Sequence, residues 1–167
     1  MLISQVITKA ANQTLSVADV AAIIAASEGK KSEANGALGH PLQHVQSTAV
    51  QRKTAYSEKR QWDEINCRGS HSCFKTETQQ AEIVRDALCS NEGKTALREL
   101  NAGLDQAKIR TTAGRGETVV EQGSLGGAFG SFVNDKSATG VVVDVHCSKD
   151  AVTNSRCLHI RSAYPVA

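Results

Sequence analysis

The chain has 167 residues, 40% of them hydrophobic and 22% charged, which excludes a disordered chain and predicts one domain with its own core. The formal net charge is +2 and aromatic residues make up 4%, so neither a strong basic patch nor many base-stacking rings announce a nucleic-acid binder. No apolar run approaches the roughly 20 residues that span a bilayer, so we expect no stable membrane insertion. Met1 to Gln5 has no charged n-region and no cleavage pattern, so we expect no signal peptide.

The first predicted element is a helix that begins behind a capping box. Ser16 and Asp19 have the spacing of that motif, an apolar stretch follows, and Gly29 marks the end of the helix. The polar stretch from Lys30 to Gly39 then predicts a linker. We therefore expect an amino-terminal helical arm in residues 1–35 and the main domain in residues 36–167.

The main domain should begin with helices. Pro41 favours the first position of a helix running toward Asn66, with His40 at its entrance. Cys67 to Cys73 reads as a loop. Helices are then predicted over Glu77–Cys89 and Lys94–Asn101.

The hydrophobic period then changes from helix to strand. Strands are predicted over 108–112, 118–121, 130–133, 139–146 and 156–165, the fourth being central because it holds three consecutive valines. Helices first and strands after predict an α+β fold, with N-terminal helices packed on a C-terminal twisted antiparallel sheet. Strict alternation in the last strand puts Leu158, Ile160, Ser162 and Tyr164 on one face and His159, Arg161 and Ala163 on the other.

The five histidines suggest acid–base chemistry more than metal binding. No H-E-x-x-H motif and no convergent Cys/His set occurs, so we expect no metal and no cofactor. His40 and His44 are four residues apart, but Pro41 places His40 before the regular turn, and we interpret His44 as packed at the edge of the core. At a helix entrance His40 would stay neutral and could act as a general base, although a surface histidine beside a turn remains the alternative.

The five cysteines leave two interpretations open. Cys67 and Cys73 are close in sequence, as are Cys147 and Cys157, while Cys89 has no neighbour. Two local disulfides are compatible with an oxidising compartment, and five unpaired thiols are equally compatible with the spacing.

Three motifs, read in order, carry a resemblance to a known family. They are Gly39-His40-x-x-x-His44-Val45, Cys73-Phe74-Lys75-Thr76 leading into a helix, and the closing Ile160-Arg161-Ser162-Ala163-Tyr164-Pro165. Together they resemble the RNase A-like toxin domains at the carboxyl ends of bacterial contact-dependent growth-inhibition (CdiA-type) proteins, over about residues 38–167. The resemblance implies an RNase A-like or BECR-type toxin fold and a metal-independent ribonuclease.

The resemblance also implies a site. His40 matches the family's opening histidine, Ser162 and Tyr164 match its closing hydroxyls, and Arg52 is our choice for the arginine, with Arg60 as a rival. Side chains expected to hold the substrate are Lys53, Arg60, His159 and Arg161. Three features depart from the family pattern: one glycine instead of two, Pro41 after the histidine, and serine in place of threonine at 162.

Such an enzyme uses the 2′-OH of RNA as the nucleophile and leaves a 2′,3′-cyclic phosphate. The family further implies delivery from a larger cell-surface protein into a target-cell cytoplasm, RNA (tRNA among the candidates) as substrate, and a cognate immunity protein as partner. Two alternatives stay open: an EndoU- or colicin-type nuclease that pairs His40 with His146 or His159, and a non-catalytic α+β binding module in which Ser162 and Tyr164 are core hydroxyls.

Overall fold

The computed structural model describes residues 1–33, 36, 38–45, 71–112, 118–122 and 133–166. Its helices are α1 (Ile3–Ala11), α2 (Val17–Ser27), a 3-10 helix (Pro41–His44), α3 (Glu77–Cys89) and α4 (Asn91–Ala102). Its strands are β1 (His71–Cys73), β2 (Gln106–Thr112), β3 (Thr118–Gln122), β4 (Val133–Ser137), β5 (Gly140–Lys149) and β6 (Arg156–Val166). The described part of the chain is therefore an α+β protein, as predicted.

Helix starts follow the capping signals in the sequence. The Ser16 hydroxyl accepts the Asp19 N–H at 3.0 Å while the Asp19 carboxylate accepts the Ser16 N–H at 3.0 Å, which confirms the predicted capping box of α2. Thr76 accepts the Gln79 N–H at 3.0 Å and so caps α3. Helix α2 ends at Ser27, and Gly29 adopts φ +68° just beyond it.

The strands form two antiparallel sheets of three, in the orders β1-β3-β4 and β2-β5-β6. The central position of β5 is the one predicted from its three valines, and all seven residues of β2 pair with it. Within the predicted linker, residues 30–33 and 38–39 pair with each other and with the sheet. Gly39 N–H donates to the Lys30 carbonyl at 2.8 Å, and Glu33 N–H donates to the Cys147 carbonyl of β5 at 2.9 Å.

One hydrophobic cluster joins all four α-helices to the sheet. Ile3 and Val6 of α1 and Val20, Ile23 and Ile24 of α2 belong to it, each at most 3% exposed. They pack with α3, α4 and the inner faces of β2, β5 and β6. Helix α1 was not foreseen from the sequence, and the side chains of both amino-terminal helices lie in the same core as the sheet.

Strand β6 does not keep the strict alternation expected from its sequence. Asp144 pairs with Ser162 and Val145 pairs with Ile160, so Arg161 is an extra residue, a β-bulge. The bulge moves every residue after it to the opposite face. The prediction that Ser162 and Tyr164 share a face with Leu158 and Ile160 is therefore wrong.

The segment around the opening motif also differs from expectation. The helix predicted to run from Pro41 toward Asn66 is a 3-10 turn that ends at His44, because Val45 is already extended and bridges Phe74 in parallel. Residues 46–66 lie outside the described part of the chain. The last three residues of the predicted loop from Cys67 to Cys73 form strand β1, which pairs with β3.

The structure shows no disulfide among the cysteines that it describes, which are Cys73, Cys89, Cys147 and Cys157. Cys147 pairs across the sheet with Leu158, and Cys157 pairs with Ser148, so the two thiols lie on opposite faces. Because a disulfide needs Cβ atoms that point toward each other, this register rules out a Cys147–Cys157 bond without a shift of the strands. Cys67 lies outside the described residues.

Candidate active site

His40 is held against the last strand by its own backbone. Its N–H donates to the carbonyl of Arg161, the bulged residue of β6, at 2.8 Å. Its Nδ1 lies 3.2 Å from the Leu38 carbonyl, and because a carbonyl only accepts, this bond puts the ring proton on Nδ1. The lone pair of the neutral ring is then on Nε2, as a general base requires. The ring is half-buried.

His44 lies between His40 and Tyr164. The ring centroids of His40 and His44 are 5.8 Å apart, and those of His44 and Tyr164 are 5.5 Å apart. His44 Nδ1 donates to the Ser72 carbonyl of β1 at 3.0 Å, and the Phe74 N–H donates to the His44 carbonyl at 2.7 Å. These bonds fix the ring where the 3-10 helix, β1 and β6 meet. We call His40, His44 and Tyr164 the His–Tyr cluster.

Ser162 and Tyr164 stand on a polar face of the sheet. Because of the bulge they share that face with His159 on β6 and with Asp144 and His146 on β5, opposite the hydrophobic core. Tyr164 is half-buried, but Ser162 is only 3% exposed. The hydroxyl of Ser162 is therefore at the bottom of this face, and the phenol of Tyr164 is nearer the surface.

A buried carboxylate organises the same face. Asp144 is 5% exposed, accepts from an Arg161 guanidinium nitrogen at 3.0 Å and lies 3.2 Å from His146 Nε2. The other ring nitrogen of His146 lies 2.9 Å from the Ser32 hydroxyl. Burial alone would raise the pKa of Asp144, but the bonds from His146 and Arg161 outweigh it and hold that pKa below its usual range. We call Ser32, Asp144, His146 and Arg161 the polar network.

His159 is buried beside this network and is kept neutral. It is 2% exposed, and its ring centroid lies 6.3 Å from that of His146. Burial, followed by the nearby His146, Arg161 and Lys30, lowers the pKa of His159 to about 4. Its Nε2 faces the α-carbon of Gly39 and has no hydrogen-bond partner among the described residues.

The residues expected at the site from the sequence are distributed unevenly. His40, Ser162 and Tyr164 all lie at the carboxyl-terminal end of β6. Arg161 is engaged by Asp144 and His159 is buried, whereas Arg52, Lys53 and Arg60 lie outside the described residues. His44 was expected at the edge of the core; its four-residue spacing from His40 was the signal that could have placed it in the cluster.

Among the residues that the structure describes, no group of three or more His, Cys, Asp or Glu side chains is arranged to hold a metal ion. None of the helices in the described ranges has the length and apolar character needed to cross a membrane.

Comparisons with known proteins give a weak structural likeness. No protein-family model matches the chain, and no curated protein matches it. A solved structure described as "CdiA-CT/CdiI complex from Y. kristensenii 33638" matches with a TM-score of 0.48 and 19% identity, covering 75% of this chain and 96% of that one. Values this low do not establish a common fold, so the function proposed below rests on the residues of this chain.

Proposed function

We propose that this chain is a metal-independent ribonuclease toxin of the contact-dependent growth-inhibition type. The observation that carries the proposal is the His–Tyr cluster: two half-buried imidazoles and a phenol side by side, with ring centroids 5.8 and 5.5 Å apart. Cleavage of RNA by its own 2′-OH requires a base, an acid and hydrogen-bond donors around phosphorus, and these three rings offer all of them.

The two histidines divide the proton transfers between them. Each donates its Nδ1 proton to a backbone carbonyl, His40 to Leu38 and His44 to Ser72, so the neutral rings carry their lone pairs on Nε2. One neutral ring takes the proton of the 2′-OH as the 2′-oxygen bonds to phosphorus. A protonated partner ring gives a proton to the 5′-oxygen as the P–O5′ bond breaks. The products are a 2′,3′-cyclic phosphate and a 5′-hydroxyl.

Tyr164 and Ser162 stabilise the charge that develops on the phosphate. Tyr164 adjoins His44 and is partly exposed, so its hydroxyl is the donor better able to reach a substrate oxygen. Ser162 is more deeply buried, and its contact with substrate stays a prediction. Arg52 as the phosphate-pairing arginine, with Arg60 as its rival, and Lys53 and Arg60 as backbone contacts are likewise predictions.

His146 and His159 are poorly suited to the role that the EndoU-type alternative gives them. His146 is 1% exposed and has both ring nitrogens in hydrogen bonds, and His159 is 2% exposed. A general base must come within hydrogen-bond reach of the substrate proton, which the buried rings do not. The observation therefore favours His40 with His44 over His40 with either strand histidine.

A toxin of this kind requires an immunity protein in its producer. We propose that this partner covers the His–Tyr cluster and presents acidic groups. The substrate that it excludes is a polyanion, so a site that attracts this substrate should also attract acidic groups of a protein. Binding of the two proteins should then weaken as the salt concentration rises.

The decisive experiment is cleavage of a fluorescent oligoribonucleotide by the purified chain in EDTA. We expect a 2′,3′-cyclic phosphate, identified by mass spectrometry, and no cleavage when the sugar at the cut site is 2′-deoxy. His40→Ala and His44→Asn should each lower kcat/KM by about 100- to 10,000-fold, the usual contribution of an acid or base. In His44→Asn the side-chain amide can still donate to the Ser72 carbonyl, so the fold keeps that bond while the imidazole is lost.

Gln43→Ala is the matched control, because Gln43 is exposed on the same 3-10 turn between the two histidines. It should cleave at the wild-type rate. A wild-type chain that does not cut RNA, or His40 and His44 variants as active as Gln43→Ala, would remove the ribonuclease proposal and leave the binding module.

A further inference from the structure

Two hydrogen bonds from outside the sheet hold the backbone of β6 at its bulge. The carbonyl of Arg161 accepts the His40 N–H at 2.8 Å, and the adjacent Ile160 N–H donates to the Ser27 hydroxyl at 3.0 Å. Since Arg161 has no backbone pairing partner on β5, the β5–β6 ladder does not fix the backbone of this residue directly. The position of His40 therefore depends on what holds Arg161.

Asp144 holds Arg161 by its side chain. One carboxylate oxygen accepts from the guanidinium at 3.0 Å, and Asp144 itself sits opposite Ser162 in the ladder, directly beside the bulge. Asp144 is 5% exposed and the Arg161 side chain is 35% exposed, so salt screens this ion pair less than a pair of two exposed side chains. The charge of Asp144 therefore constrains Arg161, which strand pairing does not hold.

The other oxygen of Asp144 reaches the chain that leads to His40. It lies 3.2 Å from His146 Nε2, and His146 Nδ1 lies 2.9 Å from the Ser32 hydroxyl. Ser32 belongs to the connection between α2 and His40, whose two arms are joined by the Gly39–Lys30 bond of 2.8 Å. Asp144 is thus linked to both supports of His40: directly to the bulged Arg161, whose carbonyl accepts the His40 N–H, and through His146 to the loop that precedes His40.

We propose that Asp144 is a positioning residue, which sets the placement of His40 and Ser162 through Arg161 and His146 without touching the substrate. The catalytic part of this inference rests on the proposed ribonuclease function. Loss of the carboxylate charge releases the bulge, and displacement of a base by about 1 Å costs up to about 100-fold in rate. The effect should appear in kcat, with little change in KM, because His40 is proposed to act in the proton transfers of the chemical step.

The test compares Asp144→Asn with Asp105→Asn. Asp105 also faces an arginine of β6, Arg156, at 3.6 Å, but at the other end of the strand, so its substitution removes an aspartate–arginine pair, longer and more exposed than that of Asp144, far from His40. With the fluorescent oligoribonucleotide, Asp144→Asn should lower kcat by about 10- to 100-fold at nearly constant KM. Asp105→Asn should not. Equal kcat values for the two variants would overturn the proposal.

A second readout does not depend on cleavage. The NMR signals of the His40 ring should shift in Asp144→Asn and stay in place in Asp105→Asn; unmoved signals in both would overturn the proposal even if activity changed. Should Asp144→Asn fail to fold, Arg161→Gln breaks the same ion pair from its more exposed partner and is read by the same two measurements. A wild-type chain without ribonuclease activity would contradict the proposed function. The NMR signals of the His40 ring would still show whether Asp144 positions His40.

Discussion

Gly39 is a residue at which the backbone packs tightly against the candidate site. A Cβ placed there would overlap the Ser27 carbonyl oxygen and lie 2.9 Å from His159 Nε2. Neither neighbour can move freely, because Ser27 also accepts the Ile160 N–H and His159 is buried. We therefore expect Gly39→Ala to lower the free energy of unfolding by about 1–3 kcal/mol, the usual cost of overpacking.

Gly140→Ala is the control for that substitution. The nearest atoms to a Cβ at Gly140 are 3.2 Å away, so a small adjustment of its neighbours would accommodate a methyl group. Urea unfolding of the two variants should show a clearly larger loss at Gly39. If Gly39→Ala lowered the free energy of unfolding no more than Gly140→Ala does, the loop before His40 would be able to shift and accommodate the methyl group.

At the scale of single residues, sequence motifs predicted side chains that lie close together, but they did not predict the groups to which these side chains hydrogen-bond. His40 and Tyr164 were predicted from the motifs that open and close the domain, and both belong to the His–Tyr cluster. His44 was expected at the edge of the core within a full helix, but the helix is a 3-10 turn, which brings the half-buried ring beside His40 and Tyr164. No local pattern could foretell that the Ser72 carbonyl, 28 residues away, would orient that ring.

At the scale of elements, the long periodic segments were predictable and the irregular strand was not. Helix α3 has the bounds that its apolar period and threonine cap predict, and β5 is central as its valines predict. The bulge in β6 carries no glycine or proline signal; it follows from the Asp144–Arg161 ion pair and the bonds to Ser27 and His40, all distant in sequence. One unpaired residue was enough to transfer Ser162 and Tyr164 to the other face.

Strand β6 also makes the fold sensitive to acid through His159. The pKa of this ring is about 4 in the folded chain, against 6.5 for the unperturbed group, because of burial and then the nearby His146, Arg161 and Lys30. Between these two values the unfolded chain binds a proton that the folded chain does not. Stability therefore falls as the pH drops from 6.5 toward 4, by an amount on the order of 3 kcal/mol in total.

His159→Gln should remove this part of the pH dependence. Asp144 and the other carboxylates titrate in both proteins, so the difference between wild type and variant isolates the histidine. Urea unfolding at pH 7 and pH 4.5 should show a larger loss for wild type than for His159→Gln. Parallel losses would mean that the ring is protonated in the folded state over this range.

At the scale of the whole molecule, the amino-terminal helices share the core of the sheet. Composition suggested a polar linker after residue 29, and a linker normally separates independent units. The structure instead pairs that segment with itself and with β5, and it buries Ile3, Val6 and Ile23 against the rest of the core. The polar residues that suggested a linker include Ser32, which is buried because it meets His146. Whether residues 1–35 also serve entry into a target cell stays a prediction.

Ile23→Ala tests whether these helices and the sheet form one cooperative unit. Ile23 is 2% exposed within the common core, so its truncation should cost about 2–5 kcal/mol, whereas Ala22→Ser on the exposed side of α2 should change stability by about 0.5 kcal/mol or less. Because unfolding of a small domain is cooperative, the loss should extend to β5, whose amide hydrogens should exchange faster in proportion. Unchanged exchange in β5, with faster exchange confined to α1 and α2, would show that the helices unfold independently and that the boundary expected near residue 35 is a real one.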